Sequence, residues 1–162
     1  MAAVIDAEQA TWMVQAGPSI TIASCNETLR PSLGQGLGCR IEPTRERITL
    51  FMLEPRNLDV VADLRAGRPF AVVFTHSNSL RSVQLKAVGA RDVPLQPGDQ
   101  ERIVAYTGAV ALQWATTGVP EILAQALLCR GPGTMLAFEF TPHVAFDQTP
   151  GPRAGTPLFA GS

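Results

Sequence analysis

Histidine and cysteine, the side chains best suited to acid–base or nucleophilic chemistry, are few and scattered in this chain. The sequence has two histidines, His76 and His143, and three cysteines, Cys25, Cys39 and Cys129. Neither histidine lies at helical ligand spacing from a Cys, Asp or Glu, and a zinc or iron site needs three or four converging ligands. A cysteine nucleophile needs a nearby base or a positive environment to form thiolate. The sequence therefore predicts no metal site, and it leaves His76 either as a general base or pocket residue or as a solvated loop residue.

Familiar catalytic motifs are also absent from the sequence. It contains no P-loop, no G-x-G-x-x-G that opens a helix and no G-x-S-x-G elbow. Three glycines, Gly34, Gly36 and Gly38, lie close together, but they fall within a predicted strand. Because glycine permits bending and close backbone approach, this segment predicts a bent barrel strand rather than a phosphate loop.

Composition limits the class of protein. The chain has 162 residues, of which 46% are hydrophobic and 17% are charged, enough for one domain over residues 1–162 with a single core. The net charge is −1 and the arginines are scattered, which argues against nucleic acid as a partner. The N-terminal residues resemble no export signal, and no apolar run approaches the roughly 20 residues of a membrane span. We expect a soluble cytoplasmic protein, not bound to membranes, with reduced cysteines.

Strands and helices are both predicted, and strands dominate. Residues 48–53 have no polar alternation and are expected to be buried on both faces, whereas residues 81–93 alternate with a period of two. The predicted strands cover 19–23, about 30–41, 48–53, 70–74, 81–93 and 135–146. Asp6 with Gln9 forms a capping box for a first helix, Asn57 and Asp99 are expected to cap later helices, and residues 121–128 form a last one. The fold class is α+β, mainly β, around an antiparallel sheet.

The order of these elements resembles the FMN-binding split barrels related to pyridoxamine 5′-phosphate oxidase over residues 8–157. The resemblance is carried by the segments GPSITIAS into RPSL, LRAGRPFAVVF, RSVQLKAVG and FTPHVAFDQTPGPRAGTPL. It implies a six-stranded antiparallel split β-barrel with flanking helices. It also implies a homodimer with flavin sites between the subunits, in which the C-terminal segment of one chain crosses its partner.

The resemblance further implies which residues contact the flavin. Phe51 and Met52 would supply an apolar wall and backbone donors, while Gln84 or Ser82 would reach the polar edge of the ring. Strand two and the partner's C-terminal segment would contribute further contacts. By position, these are Gln35, Arg40, Phe146, Gln148 and Arg153.

The phosphate site departs from the family pattern. Where the oxidases have a basic Ser-Arg-Lys run, this chain has Leu58-Asp59-Val60, which cannot neutralise a dianion. One of four basic residues would then bind the phosphate. They are Arg40, Arg56, Arg81 and Lys86.

Each of these residues also has a plain structural interpretation. Gln84 and Lys86 fit the solvent face of an alternating strand, Arg81 fits a strand-end charge, and Phe51 and Met52 fit the core. The sequence predicts an FMN-dependent oxidoreductase acting on a small substrate. The alternative is a non-catalytic module of the same fold that holds flavin, F420 or haem, or no ligand.

Overall fold

A computed structural model describes residues 3–129 and 132–158. The helices are α1 Ala7–Gln15, α2 Leu58–Arg65, α3 Asp99–Thr116 and α4 Glu121–Cys129, with a short 3₁₀ turn at Glu54–Arg56. The strands are β1 Ser19–Cys25, β2 Pro31–Gly36, β3 Cys39–Ile41, β4 Ile48–Leu53, β5 Pro69–Thr75, β6 Ser82–Val88, β7 Arg91–Val93, β8 Met135–Phe140, β9 Val144–Asp147 and β10 Thr156–Pro157.

The strands form two antiparallel sheets, one of six strands and one of four. Their orders are β10-β9-β6-β5-β1-β2 and β3-β4-β8-β7. The α+β class and the antiparallel pairing predicted from the sequence are confirmed. The predicted single barrel of six strands differs from what is observed, because the strands divide into two open sheets.

The chain passes from one sheet to the other once through α2 and three times through short bends, and the bends explain this difference. β2 leads into β3, β6 into β7, and β8 into β9, and each pair has one strand in each sheet. Gly38 at φ +118° and Gly89 at φ +73° take backbone conformations that side chains disfavour, and both lie at these bends. The sequence predictions of uninterrupted strands over 81–93 and 135–146 were therefore wrong at Gly89–Ala90 and at residues 141–143.

The main core lies between the inward sides of the two sheets. Every residue of β4 is buried, which confirms the prediction for residues 48–53. Met52 belongs to this main core, whereas Phe51 points to the other side of β4. There Phe51 forms a second cluster with Leu37, Leu53, Ile103 and Ala137, beneath α3.

Helix α3 is fixed to the turn between α1 and β1. The Tyr106 hydroxyl donates to the Pro18 carbonyl at 2.8 Å, and Gln113 Nε2 donates to the Gly17 carbonyl at 2.8 Å. Gly17 is required there, since a Cβ atom would lie 2.6 Å from Cβ of Ala109 and the residue has φ +64°. The carbonyls of the turn thus accept hydrogen bonds from buried side chains of α3.

Asn57 is the N-cap residue of α2, as predicted, but its side chain joins β2 to β4 and makes no capping hydrogen bond. Its Oδ1 accepts from the Gln35 amide at 2.7 Å, and its Nδ2 donates to the Leu53 carbonyl at 2.8 Å. The expected side-chain cap is absent. A Cβ on Gly34 would lie 2.5 Å from Asn57 Oδ1, so this glycine makes room for the link.

Asp99 likewise pairs with a distant residue instead of capping α3. The N-cap is Gly98, and Asp99 binds the Arg40 guanidinium from β3, with Nη1 to Oδ1 at 2.6 Å. The Asp99 side chain is 1% exposed and that of Arg40 is 15% exposed. The capping box at Asp6 and Gln9, in contrast, is confirmed in α1.

The C-terminal segment, up to residue 158, folds onto its own chain. Thr156 and Pro157 pair with Asp147 and Phe146 of β9, and the Leu158 amide donates to the Ala145 carbonyl at 2.9 Å. The resemblance implies that this segment also contacts a partner subunit, and that contact stays a prediction.

The Arg40–Asp99 pair gives a first prediction. Asp99→Ala should lower the free energy of unfolding by about 3 kcal/mol, the lower end of the range for a broken buried pair, because Arg40 keeps some contact with water. Urea unfolding followed by circular dichroism measures this loss. As a control, Glu42→Ala breaks the exposed Arg47–Glu42 pair and should leave the urea midpoint almost unchanged. Equal midpoints for the two variants would contradict the prediction.

Candidate functional site

The outward side of the six-stranded sheet, called here the outer face, is a surface formed by strands that stays partly exposed. Inward side chains of β1, β5 and β6 are buried, whereas their outward neighbours are exposed or half-buried, apart from Ser82 at the start of β6. The outer face consists of Thr21, Ala23, Leu33, Gln35, Ala71, Val73, Thr75, Gln84, Lys86, Val88, Val144 and Phe146. Lys86 is the single charged residue among them, so the face is mainly apolar with a few amides and hydroxyls.

Several of the predicted site residues meet on this face where β6 pairs with β9. Gln84 lies opposite Phe146 in the register, and Nε2 of Gln148 donates to Oε1 of Gln84 at 3.3 Å. The Lys86 ammonium lies 5.1 Å from the centroid of the Phe146 ring. An amide pair, an aromatic ring and a cation therefore lie side by side.

Ser82 and Arg153 lie at the end of the same strand pair. The Ser82 amide donates to Thr149 Oγ1 at 3.0 Å, and its hydroxyl lies 3.0 Å from Oγ1 of Thr75. Arg153 reaches Asp147 at 3.7 Å and is 83% exposed. Ser82 is thus occupied by local bonds, while the Arg153 guanidinium remains largely in solvent.

Bonds from Thr149 lower the pKa of the Asp147 carboxyl against the opposing effect of burial, and the charges of Arg153 and Arg81 lower it further. The carboxylate therefore helps to order the segment that follows β9.

Gln35 lies on the outer face but away from this group. It is in β2, and β6 and β2 are separated by β5 and β1. At the usual spacing of neighbouring strands this is roughly 14 Å. A ligand about as long as a dinucleotide or a flavin ring with its side chain would be needed to contact both ends of the face.

Arg81 binds the N-terminal helix. Its two Nη atoms each lie 2.7 Å from a carboxylate oxygen of Glu8, and the guanidinium lies 4.6 Å from the Trp12 ring centroid. The hydrogen bond from Arg81 holds the pKa of Glu8 below its usual range. The Arg81 charge is therefore used to attach α1 to the start of β6.

Arg40 and Arg56 have partners outside the six-stranded sheet. Arg40 is paired with Asp99, as described above. Arg56 donates from Nη1 to the Leu127 carbonyl and from Nη2 to the Ala126 carbonyl at 3.0 Å, near the C-terminal end of α4. These are the carbonyls that a helix leaves unpaired, so Arg56 stabilises α4.

Phe51 and Met52 are fully buried, each in a different cluster. The Phe51 amide donates to the Gly38 carbonyl at 3.0 Å, and its carbonyl accepts from Leu37 at 2.7 Å. Neither side chain faces the outer face, and the Phe51 backbone groups are already paired. Their predicted contact with a flavin therefore has no support in the geometry of the isolated chain.

A cleft at one end of the outer face adds residues that the sequence did not connect. It has a volume of about 360 Å³ and is lined by Ala23, Ser24, Pro69, Phe70, Ala71, Lys86, Ala87, Val88 and His143. The His143 amide donates to the Lys86 carbonyl at 3.0 Å, which places the two residues next to each other. Only the turn between β8 and β9, which the sequence did not reveal, brings His143 to this cleft.

The remaining candidates are separate from one another. Among residues 3–129 and 132–158, no three His, Cys, Asp or Glu side chains lie together in a way that could hold a metal ion. His76 lies in the loop before β6, where its Nδ1 is 3.2 Å from the Ser79 hydroxyl. The described helices include none that is long and apolar enough to cross a bilayer.

Comparison with known proteins connects the fold to solved structures. No protein-family model and no curated protein matches the sequence. HupZ from Group A Streptococcus is 12% identical, with a TM-score of 0.54, covering 93% of this chain and 100% of that one. A putative pyridoxamine 5′-phosphate oxidase from Lactobacillus delbrueckii is 11% identical, with a TM-score of 0.51 and coverage of 88% and 93%.

An F420 reductase is also similar, at 10% identity and a TM-score of 0.51, with coverage of 83% of this chain and 94% of that one. The chain therefore has the fold of the pyridoxamine 5′-phosphate oxidase-like proteins. At these identities the similarity concerns the fold and extends to no activity.

Burial makes Cys39 a poor nucleophile, which gives a second prediction. Desolvation raises the pKa of its thiol to about 12, so thiolate is scarce at neutral pH. Iodoacetamide at pH 8 should label the half-buried Cys25 before Cys39. Peptide mass spectrometry after timed labelling measures both rates, with urea-unfolded protein as the control in which the two converge. Equal rates in the folded protein would disprove the burial argument.

Proposed function

We propose that this chain is an FMN-binding oxidoreductase of the split-barrel type, acting on a small substrate as a homodimer. The observation that carries the proposal is the outer face, a mainly apolar sheet surface with amides, one aromatic ring and one cation grouped at the β6–β9 pair. A flat ring system with a polar edge and an anionic group matches this combination. The predicted cytoplasmic location agrees with such an activity.

The ring part of a flavin fits the residues at the β6–β9 pair. Phe146 and the aliphatic stem of Lys86 offer apolar contact, and the amides of Gln84 and Gln148 offer donors and acceptors for the ring edge. Bound FMN would supply the electron transfer, while the protein would bind the ring, orient it and limit the access of water. The common fold with a putative pyridoxamine 5′-phosphate oxidase and an F420 reductase supports a flavin or deazaflavin ligand.

The FMN phosphate has fewer available cations in the structure than the sequence predicted. Of the four predicted cations, Arg40, Arg56 and Arg81 are held by protein partners. Lys86 is paired with no carboxylate among the described residues. The proposal therefore assigns the phosphate to Lys86, while the exposed Arg153, at the opposite end of the β6–β9 pair, would contact another part of the ligand.

The small number of cations available for the phosphate favours a second candidate function, a non-catalytic module. A module that holds flavin, F420 or haem without turnover, or has lost its ligand, would need no strong phosphate site. The exposed Leu58 and Asp59 at the start of α2, where the oxidases have basic residues, agree with this alternative.

Titration with FMN tests the proposal and gives a third prediction. Wild-type protein should quench flavin fluorescence, and Gln84→Leu should weaken binding about five- to tenfold, the effect of one lost hydrogen bond. Gln96→Leu makes the same change in the exposed loop before α3 and should bind like wild type. Absence of binding in the wild type, with F420 or haem binding in its place, would reject FMN.

Reduction by a nicotinamide separates the two candidate functions. Anaerobic addition of NADH or NADPH should bleach the bound flavin if the protein is an oxidoreductase. Bound flavin that neither donor reduces would favour the non-catalytic module.

The homodimer gives a fourth prediction, in which the outer face, where the flavin would lie between the subunits, is the proposed interface. Thr21 is exposed on the outer face, so Thr21→Glu should be tolerated by the monomer but should place an unpaired carboxylate in the proposed interface. Light scattering after size exclusion should show a dimer for wild type and a monomer for this variant. Thr44→Glu, in the turn before β4, is the control that should remain dimeric. A Thr21→Glu dimer of unchanged stability would place the interface elsewhere.

A further inference from the structure

Lys86 is unusual in this sequence as well as in the structure. It is the single lysine among 13 basic residues, all the others being arginine. Its ammonium lies on the one sheet face where the outward strand residues include no other charge. The arginines Arg40, Arg65 and Arg81, in contrast, are paired with carboxylates.

The surroundings of Lys86 favour an anion over a neutral ligand. The ammonium is 5.1 Å from the Phe146 ring on one side, and Lys86 lines the 360 Å³ cleft on the other. Apart from Lys86, the cleft has Ser24 and His143 as polar residues and no Asp or Glu. A cation without a carboxylate partner beside an apolar wall attracts an anionic group from solvent.

His143 adds a second group of suitable chemistry. It lines the same cleft, and its backbone is fixed by the 3.0 Å bond from its amide to the Lys86 carbonyl. An imidazole N–H can donate to an oxyanion in either protonation state. Ser24 already donates its hydroxyl to the Pro69 carbonyl at 2.9 Å, so its oxygen is an acceptor and contributes little to anion binding.

We infer that the Lys86–His143 cleft is a subsite for an oxyanion, either phosphate or carboxylate, carried by a ligand whose planar part lies on the adjacent outer face. The planar part of the ligand rests on the proposed function. The oxyanion subsite does not, since residues of this chain form the cleft. Two sources share the chemistry: the phosphate of the cofactor and an acidic group of the substrate. The volume of the cleft is near the lower end for ligand pockets, which suits a terminal group better than a whole cofactor.

The lone lysine allows a direct test with inorganic phosphate as the probe. Reductive ¹³C-methylation of the full chain keeps the positive charge and gives one lysine side-chain NMR signal, with the N-terminal amine distinguished by pH. Phosphate should shift the Lys86 signal in a saturable way, and His143→Leu, which removes the imidazole donor, should weaken the apparent affinity about five- to tenfold, the effect of one hydrogen bond. A Lys86 signal that phosphate leaves unmoved, or moves without saturation, would overturn the inference.

Unmodified variants distinguish the two sources. By isothermal titration, Lys86→Met should weaken phosphate binding about tenfold or more, and Lys86→Arg should restore most of it. Arg47→Met removes one positive charge from the turn between β3 and β4 and should have no effect, which controls for net charge. If Lys86→Met weakens FMN but not riboflavin, the cleft takes the cofactor's phosphate; if it weakens inorganic phosphate alone, the cleft takes the substrate's acid.

The subsite and the proposed function can fail separately. Phosphate binding at Lys86 without any flavin binding would keep the subsite and reject FMN. Flavin binding that is equal in wild type and Lys86→Met, together with an unmoved lysine signal, would keep the flavin and reject the subsite.

Discussion

The structure depends on three short bends at which the chain leaves one sheet and enters the other. Because β2–β3, β6–β7 and β8–β9 each contribute to both sheets, the sheets cannot separate, and their inward side chains form one core. Two of the bends need glycine at positive φ, Gly38 and Gly89. The third brings His143 beside Lys86 and so forms the cleft at the end of the outer face. The same bends that close the core therefore also shape the candidate site.

The use of charge follows from this arrangement. Three arginines connect elements of secondary structure. Arg40 joins β3 to α3, Arg81 joins the start of β6 to α1, and Arg56 binds the end of α4. Planar guanidinium groups with several donors suit such links. A lysine is a compact charge on a flexible stem, and the outer face holds the one that the chain has. The strand residues of the outer face are therefore uncharged except for Lys86.

Local patterns in the sequence predicted most elements, and long-range contacts account for the differences. The run at 48–53 and the capping box at Asp6 are signals from neighbouring residues, and both are confirmed. Asn57 and Asp99 have residue types typical of helix caps, but partners far along the chain, Gln35 and Arg40, bind their side chains instead. In 81–93 and 135–146, apolar residues lie on both sides of each bend, so the local pattern did not mark where the chain changes sheet. For the site, sequence grouped Gln84, Lys86, Phe146 and Gln148 through family resemblance, while their pairing with each other and with His143 required the sheet register.

The two ends of the six-stranded sheet limit how copies of this chain can associate. One end is the two-residue β10, which includes Pro157, and the other is β2, which starts at Pro31 and contains Gly34 and Gly36. Proline has no amide hydrogen to donate, and short or glycine-rich border strands are poor templates for a further strand. Continuous sheet extension from one molecule to the next is therefore disfavoured at both borders. In the proposed homodimer the two copies would therefore meet through sheet surfaces, and a two-fold contact of this kind closes at two molecules and does not propagate into fibres.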